Sequence, residues 1–255
     1  MTDLITFEYP LHERSRTLLR LTHCFNQFDY HIDHQSPWET RAAMSAMLDI
    51  SSILARADIK SDLIKEMERQ SVLLGKMRQT QGVDPTALAE ILDQLNITMT
   101  NLHSVGGQLG KQIRDHEFLK SILQRGSLPG GDCDFDLPLY YHWLEMPYHD
   151  RKQQLLDWIQ TVTPLRNAVD LLLHLTRGSA VPREEIAENG FFQKTVDGNV
   201  TVQLIRIELS KSQHLYPEVS GSKHRFNIRF IEALPLEHPQ QTQQHINFNL
   251  TTCVM

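Results

Sequence analysis

Cationic side chains alternate with apolar ones in the run 222–230, late in the chain. The cationic residues are Lys223, Arg225 and Arg229, and the apolar residues, on the other parity, are Phe226, Ile228 and Phe230. Because successive side chains of a strand point to opposite faces, this period of two predicts a strand with one buried face and one cationic face. Fixed cations on one face bind anions, so an acidic segment of another molecule is the natural partner.

Composition limits the other chemistry that the chain can perform. The formal net charge is -6, so the cationic strand is a local feature in an acidic molecule, which argues against general nucleic-acid binding. The 3 cysteines, Cys24, Cys133 and Cys253, are an odd number without motif spacing and indicate a reducing compartment. The N-terminus lacks a cationic leader with an apolar run, and no apolar stretch is long enough to span a membrane. We therefore expect a cytoplasmic protein without membrane insertion.

Motifs for catalysis or metal binding fail on their spacing. Residues 107–112 resemble a phosphate-binding loop, but the glycine spacing is wrong and Gln112 replaces the magnesium-binding hydroxyl. The aspartates at 132, 134 and 136 have the spacing of the first ligands in a calcium-binding loop. Leu137, however, stands in place of the required glycine, and Trp143 in place of the final glutamate. Loop carboxylates of this kind more often cap neighbouring backbone. The sequence therefore predicts no cofactor, no metal and no enzymatic activity, and favours a binding role.

Helical periodicity dominates the first two thirds of the chain. Apolar residues recur every three or four positions, and Ser36-Pro37 and Asp84-Pro85 are strong helix starts. In the first predicted helix of the chain, at about 16–28, Arg20 lies off the apolar stripe. The predicted helices cover about 16–28, 36–55, from 61, from 84, 111–124, 139–146, 150–160 and 163–178. A short strand is expected at 5–9, where alternation ends at a proline.

Alternation replaces the helical period after Gly178. Strands are expected near 191, at 201–209, at the cationic run 222–230 and at 246–250. In the strand at 201–209 the apolar residues change parity at Leu204-Ile205, which predicts a bulge or a change of packing face. Asp197-Gly198 predicts a hairpin turn, and 215–221 a loop. The expected fold class is α+β, with an N-terminal multi-helix domain at 1–180 and a small C-terminal antiparallel β domain at 190–255.

Several spaced stretches resemble the ZapD family of bacterial division-ring accessory proteins. They are Phe-Glu-Tyr-Pro-Leu at 7–11, Arg-Thr-Leu-Leu-Arg-Leu at 16–21, Leu-Pro-Gly-Gly at 128–131, Phe-Asp-Leu-Pro at 135–138, and Leu-Tyr-Pro at 215–217 with the cationic strand. The resemblance spans nearly the whole chain. It implies a cytoplasmic homodimer, recruited to the mid-cell division ring, that binds the C-terminal tail of the tubulin-like GTPase FtsZ. It also implies cross-linking and bundling of FtsZ filaments, which promotes Z-ring assembly and septation without catalysis.

The resemblance also implies which residues bind the FtsZ tail. Basic positions of the family's groove are matched by Arg20, Arg225 and Arg229, with Lys223 beside them. Glu117 stands where the family pattern has an arginine, and Tyr141 where it has a histidine. The neighbouring His116 and His142 are candidates to compensate through a change of register.

Three other hypotheses stay open on the sequence alone. A nucleic-acid-binding adaptor would use the basic strand 223–229, with a steep salt dependence. A purely structural protein would use the same cations only to protect an exposed edge strand from aggregation. An enzyme would need a clustered acid-base pocket formed by residues distant in sequence.

Overall fold

The computed structural model describes residues 3–55, 58–126, 128–196, 201–222, 224–233 and 238–254. The chain has the α+β architecture predicted from the sequence, with one short N-terminal strand, then the helices, and then the other antiparallel strands. It divides into two compact units. We call residues 20–171 the helical unit, and residues 1–19 with 172–255 the β unit. The change in sequence pattern lies near residue 180, whereas the unit boundaries fall within the first helix and the last one.

Local capping signals define where the helices begin. Asp84 Oδ1 accepts hydrogen bonds from the amides of Thr86, at 2.8 Å, and Ala87, at 3.4 Å, and Ser36 Oγ accepts from Trp38 N at 3.2 Å. None of the described helices has the length and hydropathy needed to cross a membrane. The helices are α1 Glu13–Ile32, α2 Pro37–Ala55, α3 Ile59–Lys76, α4 Pro85–Ser104, α5 Lys111–Asp115, α6 Glu117–Arg125, α7 Pro138–Leu144, α8 Tyr148–Gln160 and α9 Thr163–Gly178.

The single helix predicted at 111–124 is wrong, because the structure has two helices there. α5 ends at Asp115 and α6 begins at Glu117, since His116 between them has an extended ψ of 115°. The sequence has neither proline nor glycine at this point. The imidazole ring of His116 instead lies edge-on against the indole of Trp158, with 5.4 Å between the ring centroids. A tertiary aromatic contact therefore accompanies a break that local propensity does not indicate.

Two antiparallel sheets enclose the core of the β unit. The strands are β1 Leu4–Pro10, β2 Arg183–Ala187, β3 Phe191–Thr195, β4 Val202–Ser210, β5 Leu215–Ser222, β6 Arg225–Glu232 and β7 Ile246–Val254. The order is β1-β4-β7-β2 in the four-stranded sheet and β3-β6-β5 in the three-stranded sheet. Apolar side chains of both sheets form one buried cluster that includes Ile207, Phe230 and Phe248. Burial of this cluster is the main stabilising contribution to the unit.

The N-terminal strand joins the C-terminal sheet. β1 pairs with β4 in antiparallel register, from Leu4 opposite Ser210 to Pro10 opposite Leu204. Glu8 adds charged contacts, since its carboxylate lies 2.7 Å from Arg177 Nη2 and 3.1 Å from Arg206 Nε. Residues from the two ends of the sequence therefore form one sheet. The expected slip of parity near Leu204 is present as a register shift between β4 and β7, and the predicted turn 197–198 lies outside the described residues.

The loop predicted at 215–221 is wrong, because these residues belong to strand β5. Pro217 and Gly221 suggested a loop, but β5 is an edge strand, where a missing amide donor is tolerated. Gly221 lies opposite Phe226. A Cβ at this glycine would lie 2.5 Å from the Arg225 carbonyl oxygen and from Phe226 Cα. The glycine therefore permits close approach of β5 to β6 rather than breaking the strand.

We expect Gly221→Ala to lower the free energy of unfolding of the β unit by about 1–3 kcal/mol, because the new methyl group collides with backbone of β6. Urea denaturation measures the change. Gly178→Ala is the matched control, since nothing lies within 4 Å of a Cβ at that position. Equal midpoints for the two variants would contradict the packing argument.

Two of the cysteines are protected by the core. Burial raises the pKa of the Cys253 thiol to about 11, and burial also raises the pKa of Cys24. Cys133 is only partly buried. In the folded protein a thiol reagent is therefore expected to modify Cys133 first, with Cys24 and Cys253 reacting after unfolding. Peptide mass mapping of a labelling time course checks this order, and early labelling of Cys253 would contradict it.

Candidate partner-binding face

Strand β6 has the two faces that its sequence predicts. Phe226, Ile228 and Phe230 are each 0% exposed and belong to the core of the β unit. Arg225 and Arg229 are exposed on the opposite side. We call this side of the three-stranded sheet the outer face. Strand register places these residues on it: Phe191, Gln193 and Thr195 of β3, Glu218, Ser220 and Ser222 of β5, and Arg225, Asn227 and Arg229 of β6.

The interpretation of the cations as edge protection is wrong. β6 is the middle strand of its sheet, and it pairs with β3 on one side and with β5 on the other. Edge protection requires a strand with an unpaired row of backbone groups, which β6 does not present. Arg225, at the start of β6, and Arg229 therefore lie on the central strand of the sheet, and both side chains are exposed to a partner.

Arg225 is held by a neutral neighbour. Its Nη2 donates a hydrogen bond to Gln193 Oε1 at 2.7 Å across the β3–β6 pair. No carboxylate of the described residues lies within ion-pair distance of its guanidinium. The full positive charge of Arg225 therefore remains available to an anionic ligand.

Arg229 differs, because it already has an acidic partner. Its Nη2 lies 2.7 Å from Glu218 Oε2, and the two side chains are 55% and 46% exposed. Glu218 is directly opposite Arg229 in the β5–β6 register. On the other side Arg229 faces Phe191, an exposed aromatic residue of β3. The charge of Arg229 is thus partly neutralised by Glu218, and its neighbour on the other side is apolar.

The spacing of the two arginines favours an extended ligand. Four positions along a strand separate their Cα atoms by about 13 Å. The guanidinium of Arg225 contacts Gln193 on β3 and that of Arg229 contacts Glu218 on β5, so the two groups turn to opposite sides of β6 and present two separate anion-binding positions. Between them lies Asn227, whose Oδ1 is buried without a hydrogen-bond partner among the described residues. Serine and threonine hydroxyls of β3 and β5 flank this row. A peptide segment with carboxylates several residues apart matches this surface.

The remaining predicted site residues are Lys223 and four residues of the helical unit. Lys223 lies outside the described residues. Arg20, His116, Tyr141 and His142 belong to the helical unit, and all four are exposed. On α7, Tyr140 and Trp143 face the core, which leaves Tyr141 and His142 towards solvent. The structure therefore brings Arg225 and Arg229 together on one strand, and the role of the others stays a prediction.

Sequence reasoning missed the residues that surround the arginines. Gln193 and Phe191 are more than thirty positions away in the chain, and Glu218 was assigned to a loop. The aromatic residues at 191 and 192 indicate a strand here, but no single-sequence pattern shows which strands are neighbours. The composition of the outer face depends on that pairing.

Two of the three aspartates that resembled a calcium loop are paired with arginines. Asp132 Oδ2 lies 2.5 Å from Arg41 Nη1, and Asp136 Oδ1 lies 3.8 Å from Arg125 Nη1. The guanidinium of Arg41 also stacks 4.9 Å from the ring centre of Tyr140. Within the described ranges, no group of three or more His, Cys, Asp or Glu side chains is arranged to hold a metal ion. The contacts of Asp132 and Asp136 are structural.

Comparison with known proteins identifies the family of the chain. The family model for ZapD, described as a cell division protein, matches residues 19–229. The chain belongs to the ZapD family. It is 38% identical over 255 residues, the full length of both chains, to the cell division protein ZapD of Methylococcus capsulatus. It is 36% identical to the ZapD of Chromobacterium violaceum, over 98% of this chain and 99% of the relative. It is also 35% identical to the ZapD of Azoarcus sp. strain BH72, over 99% and 100%.

Membership in the ZapD family gives the chain a role in cell division. The matched region includes Arg225 and Arg229, and it ends at Arg229. The outer face thus lies in a segment shared with the family, although the match by itself assigns no task to either arginine.

Proposed function

We propose that the protein is a non-enzymatic division factor that binds the C-terminal tail of FtsZ through the outer face. As a cytoplasmic homodimer recruited to the mid-cell ring, it cross-links and bundles FtsZ filaments and so promotes Z-ring assembly and septation. The observation that carries the proposal is the position of Arg225 and Arg229, exposed on a central strand where edge protection does not explain them. A flexible tail with acidic and apolar residues complements two arginines and the neighbouring Phe191.

Cross-linking follows from the number of binding faces in a homodimer. A homodimer presents two outer faces, so it can bind tails that belong to two filaments. Each contact is weak, but many contacts along a polymer add through their high effective concentration. Bundling therefore requires only modest affinity at each face.

The decisive experiment is sedimentation of FtsZ polymers with this protein, using full-length FtsZ and FtsZ that lacks its C-terminal tail. The proposal expects bundles of the full-length form only. Sedimentation of both forms would place the contact on the globular part of FtsZ and contradict tail binding. Failure to sediment either form would contradict the proposal as a whole.

Salt is expected to weaken bundling. The arginines are exposed, so added ions screen their attraction for an acidic tail, with a Debye length of about 10 Å at 0.1 M and about 3 Å at 1 M. Light scattering of the mixture over this range measures the effect, and FtsZ alone at each salt concentration controls for changes in polymerisation. Bundling that is insensitive to salt would indicate an apolar contact instead.

The five other predicted contacts are also part of the proposal. They are Arg20, Lys223, His116, Tyr141 and His142. Single alanine substitutions in the sedimentation assay test each one. The nucleic-acid alternative has no structural observation in its favour, because the net charge is -6 and the outer face contains Glu218 beside one of its arginines.

A further inference from the structure

We infer that Glu218 is an internal competitor for the acidic ligand, occupying Arg229 in the free protein and yielding it to a carboxylate of the bound segment. The inference rests on the proposed function. It adds a specificity-determining residue that does not itself attract the ligand. Arg225 would hold the first acidic group, and Arg229 would accept a second one only after Glu218 is displaced.

The geometry of the sheet places the competitor directly at the site. Glu218 and Arg229 are cross-strand partners, and Glu218 Oε2 lies 2.7 Å from Arg229 Nη2. Glu218 is the only carboxylate among the described outer-face residues of the three strands. A ligand carboxylate at Arg229 therefore has one side chain to replace, and that side chain carries the same charge as the ligand.

The exposure of the pair makes the exchange feasible. With side chains 55% and 46% exposed, both groups are hydrated, so the pair separates readily. Measured exposed pairs of this type change an equilibrium by only about two- to fivefold. Glu218 therefore reduces affinity without abolishing it. Any carboxylate group can bind Arg225, but only a segment with a second acidic group several residues further on recovers the Arg229 contact.

A purely stabilising cross-strand pair is the competing explanation. Opposite charges across two strands stabilise a sheet slightly. Under that explanation, removal of the carboxylate weakens the sheet and either leaves ligand affinity unchanged or lowers it. One conservative substitution therefore distinguishes the two explanations, because only the competitor explanation predicts a gain in affinity.

The test measures binding of a fluorescent FtsZ tail peptide by anisotropy to the full chain and to the variants E218Q, R229Q and E218Q/R229Q. We expect E218Q to bind about two- to fivefold more tightly than the unmodified protein. The gain should be absent when E218Q is combined with R229Q, because the competitor acts only through Arg229. Glu184→Gln is the matched control, since Glu184 is exposed on β2 of the other sheet and its loss changes the net charge equally.

Each outcome separates the inference from the proposed function. If the unmodified protein binds the peptide and E218Q binds equally or less tightly, the inference is overturned and the proposed function stands. If E184Q gains as much as E218Q, or the gain persists in E218Q/R229Q, net charge is responsible and the inference is again overturned. If neither the unmodified protein nor E218Q binds the tail peptide, the proposed function fails and the inference fails with it.

Discussion

Charge reversal at Arg225 is expected to abolish FtsZ bundling while the protein remains folded. Arg225 is exposed, and its hydrogen bond to Gln193 is a surface contact, so the substitution Arg225→Glu should change stability by no more than about 0.5 kcal/mol. The effect on binding is much larger, because attraction for an acidic tail becomes repulsion. If the tail buries Arg225 on binding, loss of one partner of the resulting hydrogen-bonded charge pair costs about 2–5 kcal/mol, which is more than tenfold in affinity at each face.

Sedimentation with full-length FtsZ measures bundling, and circular dichroism confirms the fold. Arg183→Glu provides the matched control, because it makes the same substitution at an exposed arginine of the β unit, on β2 of the other sheet. This control should bundle FtsZ normally. A folded Arg225→Glu variant that bundles as well as the control would remove the outer face from the proposed function. Arg229→Glu should resemble Arg225→Glu, with added repulsion from Glu218.

The neighbouring substitution Phe226→Ala is expected to act through the fold instead. Phe226 is 0% exposed in the core of the β unit, and truncation of a buried phenylalanine costs about 3–5 kcal/mol. Since domains are stable by only about 5–15 kcal/mol, the folded β unit would lose a large part of its stability. Bundling should fall because a smaller fraction of the molecules has the folded sheet that carries the arginines.

Urea denaturation followed by circular dichroism measures this loss. Phe191→Ala is the matched control, because the same truncation on β3 removes a side chain that is 41% exposed. The control should change the free energy of unfolding by no more than about 1 kcal/mol. A Phe226→Ala variant with an unchanged midpoint would contradict the position of this side chain in the core. Together the substitutions at 225 and 226 separate the binding face of β6 from its core face.

Local patterns in the sequence were sufficient to predict several elements of the fold. The alternation of 222–230 predicts a strand with Phe226 inside and Arg225 outside, since each residue of a strand selects a face by its own polarity. Asp84 predicts the start of α4 because its carboxylate caps amides two and three residues away. These features depend on contacts within a few residues, or on burial alone. The α+β fold class followed from the same signals.

Other elements depended on contacts between distant residues. β5 was mistaken for a loop because Pro217 and Gly221 disfavour an isolated strand, whereas pairing with β6 stabilises one at the sheet edge. The break at His116 coincides with a contact to Trp158 that no local pattern contains. Propensity is a weak signal, and tertiary packing of this kind overrides it.

The sequence by itself determined that the chain carries a two-faced cationic strand and that the family resemblance gives it a role in cell division. Only the tertiary structure decided that this strand is central, so that Arg225 and Arg229 are not edge protection. It also decided that Gln193 contacts one arginine and Glu218 the other. The reason is physical: polarity along a strand selects the buried face, but strand order and register result from packing of the whole sheet.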